Sequence, residues 1–153
     1  MSGLRTADCV LRVAFAISLF GTAGCKADDD PTAWEIIRGT AALAASAAVV
    51  PDTRVPLASY PSRTGSLTIG EDSSVTGWIR LAVGDTAFVT GTVAAEGGDL
   101  LMTLTGLTPG EYTIITDGAF PDTYGLLSTT ILNSDVTGTA DPELHRIYWQ
   151  FER

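Results

Sequence analysis

The stretch that decides the fold is HRIYWQFE, residues 145–152, near the end of a chain of 153 residues. Every second residue in it faces one way, and this set consists of His145, Ile147, Trp149 and Phe151. A second run, residues 75–83, alternates in the same way, with Val75, Ile79 and Leu81 on one face. A period of two with one apolar face predicts half-buried strands of an antiparallel sheet.

Turn residues recur along the whole second half of the chain, between short runs of strand composition. The turns are Gly70-Glu71-Asp72, Gly84-Asp85, residues 96–99, Pro109-Gly110, Asp117-Gly118, residues 133–135 and Asp141-Pro142. Strands joined by such tight turns are neighbours in a sheet. The sequence therefore predicts one all-β domain, residues 34–153, either a small antiparallel meander barrel or a two-layer β-sandwich.

The start of this domain has a weaker pattern. WEIIR, residues 34–38, has the composition of a first strand, whereas residues 55–63 contain Pro56 and Pro61 and are predicted to form a loop. Residues 40–50, TAALAASAAVV, contain six alanines and fit either a short helix across one barrel end or a tightly packed strand.

The first 24 residues have the features of a signal peptide. Arg5 and Arg12 precede VAFAISLF, residues 13–20, which is too short to span a bilayer, and small residues follow. Thr22-Ala23-Gly24-Cys25 resembles the lipobox of bacterial lipoproteins. That resemblance implies diacylglycerol on Cys25, cleavage before it and acylation of the new amino group; the alternative is an ordinary signal peptide that contains a cysteine. Residues 25–33, with three adjacent aspartates, are predicted to form a solvated lipidated tether.

The order of strands and turns also resembles that of the small lipocalin-like lipoproteins of bacteria. The matching segments are Gly65-Ser66-Leu67-Thr68-Ile69, Gly91-Thr92-Val93, Gly98-Asp99-Leu100 and the closing residues 149–153, with Trp34 near the start of the domain. This resemblance implies a calycin-type barrel that holds a small apolar ligand. Residues 104–114, LTGLTPGEYTI, resemble instead a hairpin of immunoglobulin-like surface modules, which supports the sandwich alternative.

Composition and motifs exclude several classes of function. The chain has 9 basic and 18 acidic residues, a net charge of −9, which disfavours nucleic-acid binding. One His and two Cys nearly exclude a multi-ligand metal site. No nucleophile elbow accompanies His145, which is expected to pair with Asp141 or Glu143, and the carboxylates lie at turns. We predict no enzyme, catalytic residue, metal or cofactor.

Two aromatic residues are candidates for a binding surface. Trp78 and Tyr148 lie on the faces opposite the apolar sets of their strands, where they are either recognition residues or part of the core or rim. The sequence thus predicts a monomeric envelope lipoprotein, held by acyl chains on Cys25, that binds a small apolar ligand or an envelope protein. The alternative is a structural or interaction protein with a filled barrel. Lys26 after the cysteine favours the outer membrane over the inner one, with the domain facing the periplasm or the cell surface.

Overall fold

The computed structural model describes residues 32–53, 55–60, 63–81 and 84–153. The predicted signal peptide, Cys25 and nearly all of the predicted tether lie outside these residues. The elements are α1 (Ala33–Ile37), β1 (Gly39–Val49), β2 (Pro56–Ser59), β3 (Thr64–Ile69), β4 (Ser74–Arg80), β5 (Thr86–Glu96), β6 (Asp99–Thr105), β7 (Glu111–Thr116), β8 (Thr123–Ser128), β9 (Leu132–Ser134) and β10 (Glu143–Glu152). Within the described residues, no helix is long and apolar enough to cross a membrane.

Eight of the strands form a closed antiparallel barrel. Neighbours follow in the order β1, β3, β4, β5, β6, β7, β8, β10, and β10 returns to pair with β1 from Ala42 opposite Glu152 to Val49 opposite Arg146. Strand β2 extends the edge of β1, and β9 pairs with the start of β10. The predicted meander barrel is confirmed. The sandwich alternative is wrong, because an unbroken ring of paired strands leaves no second sheet.

The first element is a helix, so the strand predicted at residues 34–38 is wrong. Thr32 Oγ1 accepts a hydrogen bond from the Glu35 amide at 3.4 Å, and Glu35 Oε2 accepts one from the Thr32 amide at 2.7 Å. This reciprocal capping box starts α1. Ile36 and Ile37 are both buried in the barrel core, so the helix closes one end of the barrel, which we call the helix end.

The alanine-rich segment forms strand β1, which settles the choice between helix and strand. Its small side chains let it lie between β10 and β3, and Ala41, Ala47 and Ala48 are almost fully buried. The prediction of a loop at residues 55–63 is wrong in part, because β2 pairs there with the end of β1. Pro56 stands at the first position of this short strand, where a missing amide is tolerated.

Arg153 fastens the helix end. Its Nη1 donates to the Arg38 carbonyl at 3.0 Å, and its Nη2 donates to the carbonyls of Pro121 at 2.8 Å and Glu35 at 3.4 Å. These bonds join the final residue to α1 and to the connection between β7 and β8. At the opposite end of the barrel, which we call the loop end, strands β1, β4, β6 and β8 end and strands β3, β5, β7 and β10 begin.

Candidate functional site

Side chains from four separate segments meet at the loop end around Arg63. The guanidinium carbon of Arg63 lies 3.8 Å from the centroid of the Tyr60 ring and 5.4 Å from that of the Trp149 ring. Ser46 on β1 is directly opposite Trp149 on β10, so their side chains share a face. Tyr112, at the start of β7, interacts electrostatically with Arg63. We call Ser46, Tyr60, Arg63, Tyr112 and Trp149 the loop-end cluster.

Backbone hydrogen bonds hold this cluster in place. The Tyr60 amide donates to the Ser46 carbonyl at 2.8 Å, and the Arg63 amide donates to the Tyr60 carbonyl at 3.2 Å. The Tyr112 hydroxyl donates to the Pro109 carbonyl at 2.6 Å, across the connection between β6 and β7. Arg63 is therefore fixed just before β3 begins, next to the two strands that close the barrel.

The loop-end cluster contains an excess of hydrogen-bond donors. Arg63 Nε, Trp149 Nε1 and Ser46 Oγ are buried, and none of the three makes a hydrogen bond within the part of the chain that the structure describes. Arginine Nε and the indole nitrogen can only donate, and a serine hydroxyl can donate as well. Buried polar groups in native proteins nearly always have partners, so three unpartnered donors in one cluster require an explanation.

Burial determines the electrostatics of the loop-end cluster. It lowers the pKa of Arg63 by disfavouring the charged guanidinium, and the Tyr60 and Tyr112 phenols oppose this shift. Burial raises the pKa of Tyr112, opposed by the Trp149 indole and by the Arg63 charge. The indole therefore lies near the phenol, although Nε1 does not reach hydrogen-bond geometry. No carboxylate among the described residues forms an ion pair with Arg63, so within that part of the chain its half-buried guanidinium has no counter-charge.

The centre of the barrel is filled by its own side chains. Seven large interior side chains have no exposed surface, namely Leu67, Ile79, Met102, Tyr112, Tyr124, Leu126 and Phe151. A void wide enough for water would expose part of the side chains that line it, and barrels of eight strands are commonly just filled in this way. A ligand would therefore bind at an end of the barrel or on its outside, and not among these side chains.

The structure separates the two aromatic candidates. Trp78 lies half-buried on the outer face of β4, directly opposite Phe88 on β5, whose side chain is 80 % exposed. Tyr148 is only 2 % exposed and belongs to a second buried cluster on the outside of β1, β8 and β10. Its ring lies across Gly125, where a Cβ would stand 2.7 Å from Tyr148 Cε2. Strands β1 and β3 stand between the two candidates.

The remaining side chains that could act as bases or metal ligands are held in structural contacts. His145 is buried, and its Nδ1 lies 2.9 Å from the backbone carbonyl of Glu143, whereas the sequence predicted pairing with a carboxylate of Asp141 or Glu143. The Asp135 carboxylate accepts from the amides of Thr137, Gly138 and Ala140, which lowers its pKa. In the described ranges, no three histidine, cysteine or acidic side chains come together to hold a metal ion.

The sequence interpretation missed Arg63 and Phe88. Strand alternation in the sequence puts Phe88 on the polar face of its strand, next to buried Val89, but symmetric pairing about the Gly84-Asp85 turn would put Gly91, not Phe88, opposite Trp78. The loop-end cluster offers no such signal, since its members come from β1, β7, β10 and the connection before β3. Spacing alone does not distinguish Arg63 from any other arginine in a loop.

Comparison with known proteins adds no relative. No protein-family model matches the chain, and no curated protein is significantly similar to it.

Proposed function

We propose that this protein is a lipid-anchored, non-catalytic binding module of the bacterial envelope that takes a small, largely apolar ligand at the loop end of its barrel. The observation that carries the proposal is the loop-end cluster, in which buried donors without partners stand beside three aromatic rings. A ligand bound there would supply the hydrogen-bond acceptors that these three donors lack among the described residues.

The anchor is proposed from the lipobox-like sequence that ends at Cys25. Acyl chains on this residue contribute about 0.8 kcal/mol per buried CH₂, and more than one chain gives stable anchoring. We expect Cys25→Ser to move the protein from the membrane fraction to the soluble fraction, whereas Lys26→Ser, as the matched control, leaves it in the membrane. Retention of the Cys25→Ser variant in membranes would contradict the lipid anchor.

The absence of catalysis is part of the proposal. The ring nitrogen of His145 nearest a partner faces a backbone carbonyl, and the Asp72 and Asp135 carboxylates serve their own turns. A general base needs a reacting group within hydrogen-bond reach, and these groups are committed to the fold.

Native mass spectrometry of the full chain purified from its membrane tests ligand binding. We expect an extra mass that leaves on denaturation, that is lost in Arg63→Gln and that is kept in Arg38→Gln. Arg38 is the matched control because it also stacks on an aromatic ring, with its Cζ 5.7 Å from the Trp34 centroid, but at the helix end. A chain that carries no extra mass beyond its own acyl groups would contradict the proposal.

The second candidate function is that of an interaction protein with a filled barrel and no small ligand. The Phe88 side chain favours it, because a ring that is 80 % exposed beside half-buried Trp78 is available to a protein partner. A photo-reactive residue at position 88 would then crosslink to one envelope protein in cells, and the same residue at exposed Thr92 on β5 would not. Equal crosslinking from both positions would argue against a specific partner.

A further inference from the structure

We infer that the loop-end cluster binds the carboxylate of a monoanionic ligand, with Arg63 Nε, Trp149 Nε1 and Ser46 Oγ as its hydrogen-bond donors. This inference deepens the proposed function and rests on it, because it names the chemical class of the ligand.

The donors show that the missing partner is an acceptor. Two of the three buried groups cannot accept a hydrogen bond at all, so a ligand that brings only donors leaves them unsatisfied. A buried donor without a partner costs roughly 1–3 kcal/mol, and an incoming acceptor removes that cost. Ser46 is opposite Trp149, and the Arg63 guanidinium carbon lies 5.4 Å from the centroid of the Trp149 ring, so the three donors belong to neighbouring side chains. The donor atoms are covered in this structure, so an acceptor reaches them when the side chains over them move.

The charge shows that the acceptor is an anion. Arg63 is half-buried between two aromatic rings, and within the described residues its side chain has no carboxylate and no carbonyl as a partner. Bringing a negative charge to this guanidinium supplies the missing counter-ion in a poorly solvated place, where a charge-assisted hydrogen bond is strong.

The number of charges favours a carboxylate over a phosphate. A single arginine supplies the cluster's positive charge, and nine acidic residues without one Lys or Arg lie between residues 81 and 145. This field disfavours anions of higher charge. The edge of a guanidinium that includes Nε matches the two oxygens of a carboxylate, and the rings of Tyr60 and Trp149 suit an apolar body attached to it.

The test uses the full chain, labelled with ¹⁵N, and hexanoate as the probe. The indole resonance of Trp149, assigned by its loss in Trp149→Phe, reports binding. We expect a saturable shift at roughly 10 mM hexanoate, a concentration at which a millimolar site is occupied. Hexanol and inorganic phosphate are expected to bind at least about 10-fold more weakly. Arg63→Gln should weaken hexanoate binding by about 10-fold or more, whereas Arg38→Gln leaves it unchanged.

Three results would overturn the inference, namely no shift with hexanoate, equal affinity for hexanol and tighter binding of phosphate. If native mass spectrometry still shows a retained ligand, the proposed function survives and only the carboxylate assignment falls. Should Arg63→Gln fail to fold, Arg63→Lys replaces it, because lysine keeps the charge but lacks the Nε donor edge. Binding to Arg63→Lys should weaken severalfold, and undiminished affinity would refute the role of that edge.

Discussion

Substitution of Gly125 gives a test of the packing on the outside of the barrel. A Cβ at this position would stand 2.6 Å from Tyr148 Oη, 2.7 Å from Cε2 and 3.0 Å from Cζ. The ring must therefore shift, although it is only 2 % exposed and packs in a cluster with Ala47, Val49 and Leu127. Displacing a buried ring in this way costs about 1–3 kcal/mol.

The effect of the substitution on the unfolded chain partly offsets this destabilisation. Alanine restricts the unfolded chain more than glycine does, which stabilises the fold by about 0.4–1 kcal/mol where the native backbone suits alanine. We therefore expect Gly125→Ala to lower the free energy of unfolding by about 1–2 kcal/mol, measured by urea denaturation of the full chain. In the Tyr148→Ser background no ring opposes the methyl group, so the same substitution should be stabilising by up to about 1 kcal/mol.

The change of sign between the two backgrounds is the decisive result. It corresponds to a coupling energy of about 1.5–3 kcal/mol in a double-mutant cycle, within the range seen for residues in contact. If Gly125→Ala costs the same with and without the Tyr148 ring, the reasoning is refuted, because the obstacle to a side chain at residue 125 then lies elsewhere.

Four further substitutions test other parts of the structure. Gly77→Ala should cost about 3 kcal/mol in urea denaturation, because its Cβ would overlap the backbone carbonyl of Ser66, which cannot rotate away. Arg153→Gln should lower the free energy of unfolding by about 1–2 kcal/mol, since three carbonyls at the helix end lose a charged donor. An unchanged urea midpoint would contradict a stabilising role for these hydrogen bonds. Asp135→Asn should be destabilising near pH 7, and the difference should shrink as the pH falls below about 4, because the lowered pKa stabilises the fold only while the carboxylate is ionised. Arg63→Met should leave the free energy of unfolding unchanged or raise it, because an apolar side chain avoids burying an uncompensated charge; a loss above about 1 kcal/mol would assign Arg63 a structural role.

The antiparallel meander was predictable because its strands are recognisable in the sequence one by one. The alternation in residues 145–152 survives in β10, where Ile147, Trp149 and Phe151 pack into the core as expected. Regular turns then restrict strands to sequential neighbours, so a meander follows. The choice between barrel and sandwich was not predictable, because it depends on the pairing of β1 with β10, two segments about a hundred residues apart.

Helix α1 and strand β1 show why amino-acid composition alone was insufficient to predict secondary structure. WEIIR is rich in residues that favour strands, but Thr32 and Glu35 form a capping box that starts a helix, a pattern readable in the sequence. The alanine-rich segment illustrates the opposite case, because helix propensity is a weak preference that tertiary position overrides. With β10 on one side and β3 on the other, this segment completes the barrel as a strand.

The two arginines at opposite ends of the barrel differ in what their guanidinium groups contact. Arg153 donates hydrogen bonds from its guanidinium nitrogens to three backbone carbonyls, and these bonds hold the helix end together. Arg63 has the same functional group, but its Nε is buried without a partner among the described residues and its charge faces aromatic rings. The contact of the guanidinium with the Tyr60 ring stabilises this arrangement, but it leaves the buried Nε donor without an acceptor among the described residues. An arginine whose Nε is buried without an acceptor, at one end of a barrel whose centre is filled, is the position where we propose that a ligand supplies the missing acceptor.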